Sequence, residues 1–153
     1  MEERSVIIQI KTLQRRPEGT DAMEEKAEGS LRREEESWLL SYRESTASGL
    51  GDTRTSLRLE KDRATLVREG ETAAQMVFQV GNPHLCRYAT PYGEVPMEIR
   101  TLRLDVDLSE LGGKVFIIYK LKLGGADIGE NRLRLTITPA NEGQKQRRTE
   151  YDR

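Results

Sequence analysis

One histidine, one cysteine and a scatter of arginines are the side chains of this sequence with the most chemistry to offer. His84 and Cys86 stand two residues apart and could give a metal two ligands. A tetrahedral site needs four, and nothing nearby completes the set. A single histidine also excludes multi-histidine metal sites and weakens any nucleophile–histidine–acid triad. Gly49-Leu50-Gly51 lacks the third glycine and the preceding apolar strand of a dinucleotide loop. Gly112-Gly113-Lys114 lacks the upstream glycine and the following Ser or Thr of a phosphate loop. No G-x-S-x-G elbow occurs. Glu34-Glu35-Glu36 reads as a solvated turn, and Lys145-Gln146-Arg147-Arg148 as part of a solvated tail. No residue is assigned a catalytic or metal-binding role, no cofactor is expected, and the chain is not read as an enzyme.

A different chemistry emerges from polar side chains that share a face with apolar ones. Strand alternation puts Glu44 with Trp38, Leu40 and Tyr42, Arg68 with Leu66, Arg87 with Leu85, and Tyr119 with Ile117. If those faces point inward, the interior holds charged and phenolic groups, and buried charges must be paired. Two outcomes fit. The groups pair with one another or reach the rim, or they hold the polar end of a ligand. The candidate contacts are Tyr42, Glu44, Arg68, Arg87 and Tyr119, and the partner is a small amphipathic or acidic molecule. The alternative is a filled barrel that serves as a protein-interaction module, such as a homodimer, through an outer apolar patch at Phe116 and Ile118. Cys86 falls on the face opposite Leu85 and Arg87 and is given no role.

The elements that would position these groups are strands. The stretch Leu85 to Thr101 is a hairpin around Thr90-Pro91-Tyr92-Gly93. Proline presets φ at the second turn position and glycine supplies a left-handed residue, which predicts a three-residue loop closed by a bulge. Val95, Met97 and Ile99 alternate afterwards. The apolar parity then slips to 102, 104, 106 and 108, so one extra residue is expected near Arg100-Thr101 as a β-bulge. Val6, Ile8 and Ile10 share a face. So do Thr53, Thr55, Leu57 and Leu59, then Ala64, Leu66 and Arg68, and then Met76, Phe78 and Val80. Further on, Val115, Ile117 and Tyr119 form one such face, and Leu133, Leu135 and Ile137 another. Ala22 to Glu44 is ambiguous from pattern alone. Its Ala, Met, Glu, Lys and Arg content favours helix. The strand reading splits it at a Glu34-Glu35 turn, with Gly29 marking a bend.

Eight to ten strands with short connections demand antiparallel neighbours. They close most easily into a barrel or a two-sheet sandwich, which hides the edges. A barrel of about eight strands has room for packed side chains or one small ligand.

The bulk numbers bound the rest. A chain of 153 residues fits one domain. The net charge of -1 argues against nucleic acid or a membrane surface as the main partner. The lone cysteine leaves no internal disulfide, and no apolar run approaches a signal peptide or a membrane span. The expectation is a soluble, cytoplasmic protein. Residues 1–139 form the domain, and 140–153 read as a charged, disordered tail.

Five segments then carry a family resemblance: Gly29 to Glu44 (G-S-L-R-R-E-E-E-S-W-L-L-S-Y-R-E), the Y-x-T-P-Y-G turn from Tyr88 to Gly93, Thr101, V-F-I-I-Y-K-L from Val115 to Leu121, and N-R-L-R-L-T-I from Asn131 to Ile137. In this order and spacing the chain resembles the uncharacterised bacterial YwiB-like family over roughly residues 5 to 139. The resemblance implies an all-β, single, antiparallel up-and-down β-barrel, calycin- and lipocalin-like, and tips Ala22 to Glu44 toward strand. The family has no assigned activity, so it implies nothing about mechanism.

Overall fold

A computed structural model describes residues 3–43, 53–70, 73–90 and 92–140. The candidate Glu44 and the tail from residue 141 onward lie outside the described residues. Ten strands are present among them: β1 (Glu3–Arg16), β2 (Gly19–Glu34), β3 (Ser37–Arg43), β4 (Thr53–Leu59), β5 (Ala64–Gly70), β6 (Ala74–Phe78), β7 (His84–Thr90), β8 (Gly93–Ser109), β9 (Gly112–Leu123) and β10 (Ala126–Pro139). They form one sheet in the order β6-β5-β4-β3-β2-β1-β10-β9-β8-β7. Strands adjacent in sequence pair antiparallel, except β6 and β7, and β1 pairs antiparallel with β10. The result is an antiparallel, nearly closed ten-stranded barrel.

Two edges remain, β6 and β7, and they meet at a seam. Just past β6, Val80 bridges to Thr101 in parallel. The Gln79 amide donates to Thr101 Oγ1 at 3.1 Å.

Alternation does the sorting. Inward-facing Val6, Ile8 and Ile10 on β1, Leu57 and Leu59 on β4, and Leu135 and Ile137 on β10 are buried. Each such aliphatic side chain contributes about 1.5–3 kcal/mol by leaving water. The segment of mixed propensity is strand from Ala22 to Glu34 and from Ser37 to Arg43. Its Ala, Glu and Lys residues lie on a long β2 whose pairing with β1 runs from Glu3–Arg32 to Arg16–Gly19. Helix propensity, worth tenths of a kcal/mol per residue, loses to the long ladder with β1, joined from Gly29 onward by the ladder with β3. The turn falls at Glu35-Glu36, one residue later than the pattern suggested. Gly29 has a close-packing reason: a Cβ there would lie 2.2 Å from the Ser41 carbonyl oxygen and 3.0 Å from Tyr42 Cβ.

The expected bulge is present. The β8–β9 register shifts between Thr101 and Arg103, leaving Leu102 as the extra residue. The β7–β8 hairpin corrects the sequence reading. Thr90 pairs with Gly93, so two residues rather than three connect the strands. Pro91 itself lies outside the described residues.

Candidate functional site

The shorter loop decides where Arg87 goes. Residues directly opposite in an antiparallel pair share a face. His84 opposes Ile99, Cys86 opposes Met97 and Tyr88 opposes Val95. Met97 and Ile99 are core residues, so His84, Cys86 and Tyr88 turn inward and Leu85 and Arg87 turn out. A one-residue slip exchanges the two faces of a strand, and the three-residue loop implied that slip. Arg87 is therefore not in the lumen. Its side chain is 80% exposed and lies 3.6 Å from Glu94 across the hairpin. Leu85 beside it is also exposed. Cys86 packs against the core, and burial raises its thiol pKa.

Three of the other candidates converge. Tyr42 sits near the end of β3, Arg68 near the end of β5 and Tyr119 on β9, and all three line one cavity of about 200 Å³ inside the barrel. The ladders explain how. Tyr42 opposes Thr55, Thr55 opposes Arg68, and Arg68 opposes Ala74, so one row of the inner face crosses four strands. Leu66, Met76, Phe78 and Leu133 supply apolar wall to the same cavity. The Tyr119 ring meets the Phe78 ring edge-on, with centroids 4.8 Å apart and an interplanar angle of 61°.

The electrostatics of this cavity are set by one cation, one anion and two phenols. Burial raises the Tyr119 pKa, and the Arg68 guanidinium pulls it the other way without winning. The phenol stays a neutral hydrogen-bonding group. Glu25, on the inner face of β2, lines the cavity with Arg68. Glu25, Tyr42, Thr55 and Arg68 all engage neighbours within the fold. Asn131 is 5% exposed on β10, opposite Tyr119, and its Nδ2 donates no hydrogen bond.

Sequence reasoning missed Glu25, Thr12 and Asn131. Asn131 was within reach, because it extends the parity of Leu133, Leu135 and Ile137 by one step. Glu25 was not, because the strand assignment of its segment was itself open.

Larger grooves lie outside the lumen. One of about 1090 Å³ runs between the β2–β3 and β4–β5 turns. Several of its charges are paired: Glu34 takes Arg32 at 3.3 Å and Arg58 at 3.5 Å, and Glu60 meets the neighbouring Arg63 at 3.2 Å. Another, of about 530 Å³, borders Phe116 and Leu13. There the Phe116 ring is flanked by the guanidinium groups of Arg103 at 5.2 Å and Arg134 at 4.9 Å. Among the described residues no group of three or more His, Cys, Asp or Glu is placed to hold a metal ion. No helix among them is long and apolar enough to cross a membrane.

Comparison with known proteins turns on residues 8–135, which match the family model described as Domain of unknown function (DUF1934). The chain belongs to that family. It is 26% identical over 89 residues to the uncharacterised β-barrel protein YwiB of Bacillus subtilis, an alignment covering 58% of this chain and 61% of that protein. The crystal structure of the ywiB protein from Bacillus subtilis superposes with a TM-score of 0.81 at 20% identity. That match covers 90% of this chain and 93% of the other. The expected family and the barrel fold are both borne out. The names of these relatives specify a barrel and no activity.

Proposed function

We propose that this DUF1934 chain is a cytoplasmic, calycin-like barrel that binds a small amphipathic molecule in its lumen. The polar end of the ligand lies against Tyr42, Arg68 and Tyr119, and its apolar part lies against Leu66, Met76 and Phe78. The observation that carries this reading is the cavity itself, which gathers one arginine and two phenols within an apolar wall at one end of the barrel. Its volume bounds the guest. About 200 Å³ is somewhat more than the ~150 Å³ in which a protein interior takes up benzene, and below the ~300 Å³ of ordinary ligand pockets. The guest is a compact ring or a short chain, not a long-chain lipid. The reading is one of binding rather than catalysis.

Native mass spectrometry of freshly purified protein tests it. A reproducible 1:1 added mass, released on denaturation and lost in Arg68→Met, is the expected result. A bare chain in both proteins counts against a carried ligand.

The alternative, a filled barrel acting as an interaction or homodimerisation module, would use the outer face at Phe116 and Ile118. The groove of about 530 Å³ beside Phe116 favours it. Light scattering on Phe116→Glu separates the two readings: a dimer that becomes monomeric supports the module, and an unchanged oligomeric state removes that face.

A further inference from the structure

The lumen carries both signs of charge, and this narrows what it accepts. Arg68 and Glu25 line the same cavity of about 200 Å³. They are the charged side chains on its wall among the described residues, and their charges balance. Both are already engaged within the fold. An entering carboxylate would meet Glu25 as well as Arg68. An entering ammonium would meet Arg68 as well as Glu25. In so small a space neither ion can approach its partner while staying far from the like charge, and each leaves its hydration shell behind. A neutral guest has no such cost. It can take hydrogen bonds from the Tyr119 and Thr12 hydroxyls, and lay its apolar part on Leu66 and Phe78.

We infer that the lumen selects uncharged, hydrogen-bonding molecules of about the size of a substituted benzene, and rejects the anion and the cation of the same shape. This rests on the lumen being a ligand site, and it sets the barrel apart from carriers that grip a carboxylate with an arginine. The behaviour of Tyr119 agrees. Its hydroxyl is harder to ionise than a free phenol even with Arg68 nearby, so the cavity opposes negative charge at that point. The buried Asn131 beside it, with an Nδ2 that donates no hydrogen bond, adds a neutral polar group to the same inner face.

Three probes of one shape test the inference: benzamide, benzoate and benzylamine. Each is titrated at neutral pH into full-length protein carrying ¹³C-methyl methionine, and the dissociation constant is read from the Met76 methyl, which lines the cavity. Benzamide is expected to bind at least tenfold more tightly than either ion. Glu25→Gln should then bring benzoate within about threefold of benzamide. The ranking in the unsubstituted protein decides the matter even if that variant folds poorly. Benzoate binding as tightly as benzamide would overturn selection for neutral guests and leave lumen binding standing. If no probe moves the Met76 methyl, lumen binding fails and this inference fails with it.

Discussion

Two arginines at the same kind of position, one strand residue beyond an apolar neighbour, end on opposite sides of the barrel wall. Arg68 follows Val67 and Leu66 on β5 and faces the lumen, where its Nε is buried. Arg87 follows Cys86 and Leu85 on β7 and faces solvent beside Glu94. Local composition does not separate them. Register does. The β4–β5 hairpin pairs Leu57 with Leu66 and Thr55 with Arg68, so its apolar residues agree across the ladder about which face is in. The β7–β8 hairpin pairs Cys86 with Met97, and the single apolar Leu85 is overruled by Met97 and Ile99 on the longer strand. A face read from one short strand is weak, and a face read from two strands in register is strong.

The largest test of this contrast lies beneath the lumen side. Gly29→Ala sets a methyl against the Ser41 carbonyl and Tyr42 and so disturbs the row that runs from Tyr42 through Arg68. A loss of about 3 kcal/mol in denaturant unfolding is expected, at the upper end of the usual cost of overpacking. A neutral result would mean that β2 and β3 are not held together at Tyr42. Next comes Arg68→Leu, expected to cost about 2 kcal/mol because neighbours that bond to it lose a charged partner. Thr101→Val removes the acceptor for the Gln79 amide at the seam. It should cost about 1 kcal/mol and speed hydrogen exchange at that amide. Unchanged exchange there would show that the seam is held by something else. Arg87→Leu should stay within about 0.5 kcal/mol, as exposed substitutions do. Equal losses at Arg68 and Arg87 would erase the distinction between the two hairpins.

Tyr119 sharpens the comparison through pH. Its folded pKa is raised, so the unfolded chain loses the phenolic proton first as pH rises. The stability associated with the neutral phenol is complete below the unfolded value of about 10 and is lost as pH climbs from there through the folded value. Unfolding measured across the alkaline range should show a steeper decline in the natural chain than in Tyr119→Phe. Identical slopes would place Tyr119 in contact with water.

Much of the fold was legible because it is a matter of parity. Val6, Ile8 and Ile10, or Leu133, Leu135 and Ile137, declare a buried face without help, and the slip after Ile99 announced the extra residue that Leu102 proves to be. The segment around Glu25 was not legible in this way. Its outer positions carry helix-favouring residues, and only pairing with β1 makes it a strand. Tyr42, Arg68 and Tyr119 could be named from their faces. That they meet in one cavity could not, since this depends on which strands become neighbours when β1 closes on β10. Arg87 was misassigned because its face was read from the apolar Leu85 alone, whereas the register with Met97 and Ile99 turns that face outward.

The most direct measurement of the central claim, that Arg68 belongs to the lumen and Arg87 to the surface, is arginine modification by phenylglyoxal followed by peptide mass mapping. Arg87 should react at close to the rate of free arginine and Arg68 at least tenfold more slowly. Equal rates, or faster modification of Arg68, would contradict it.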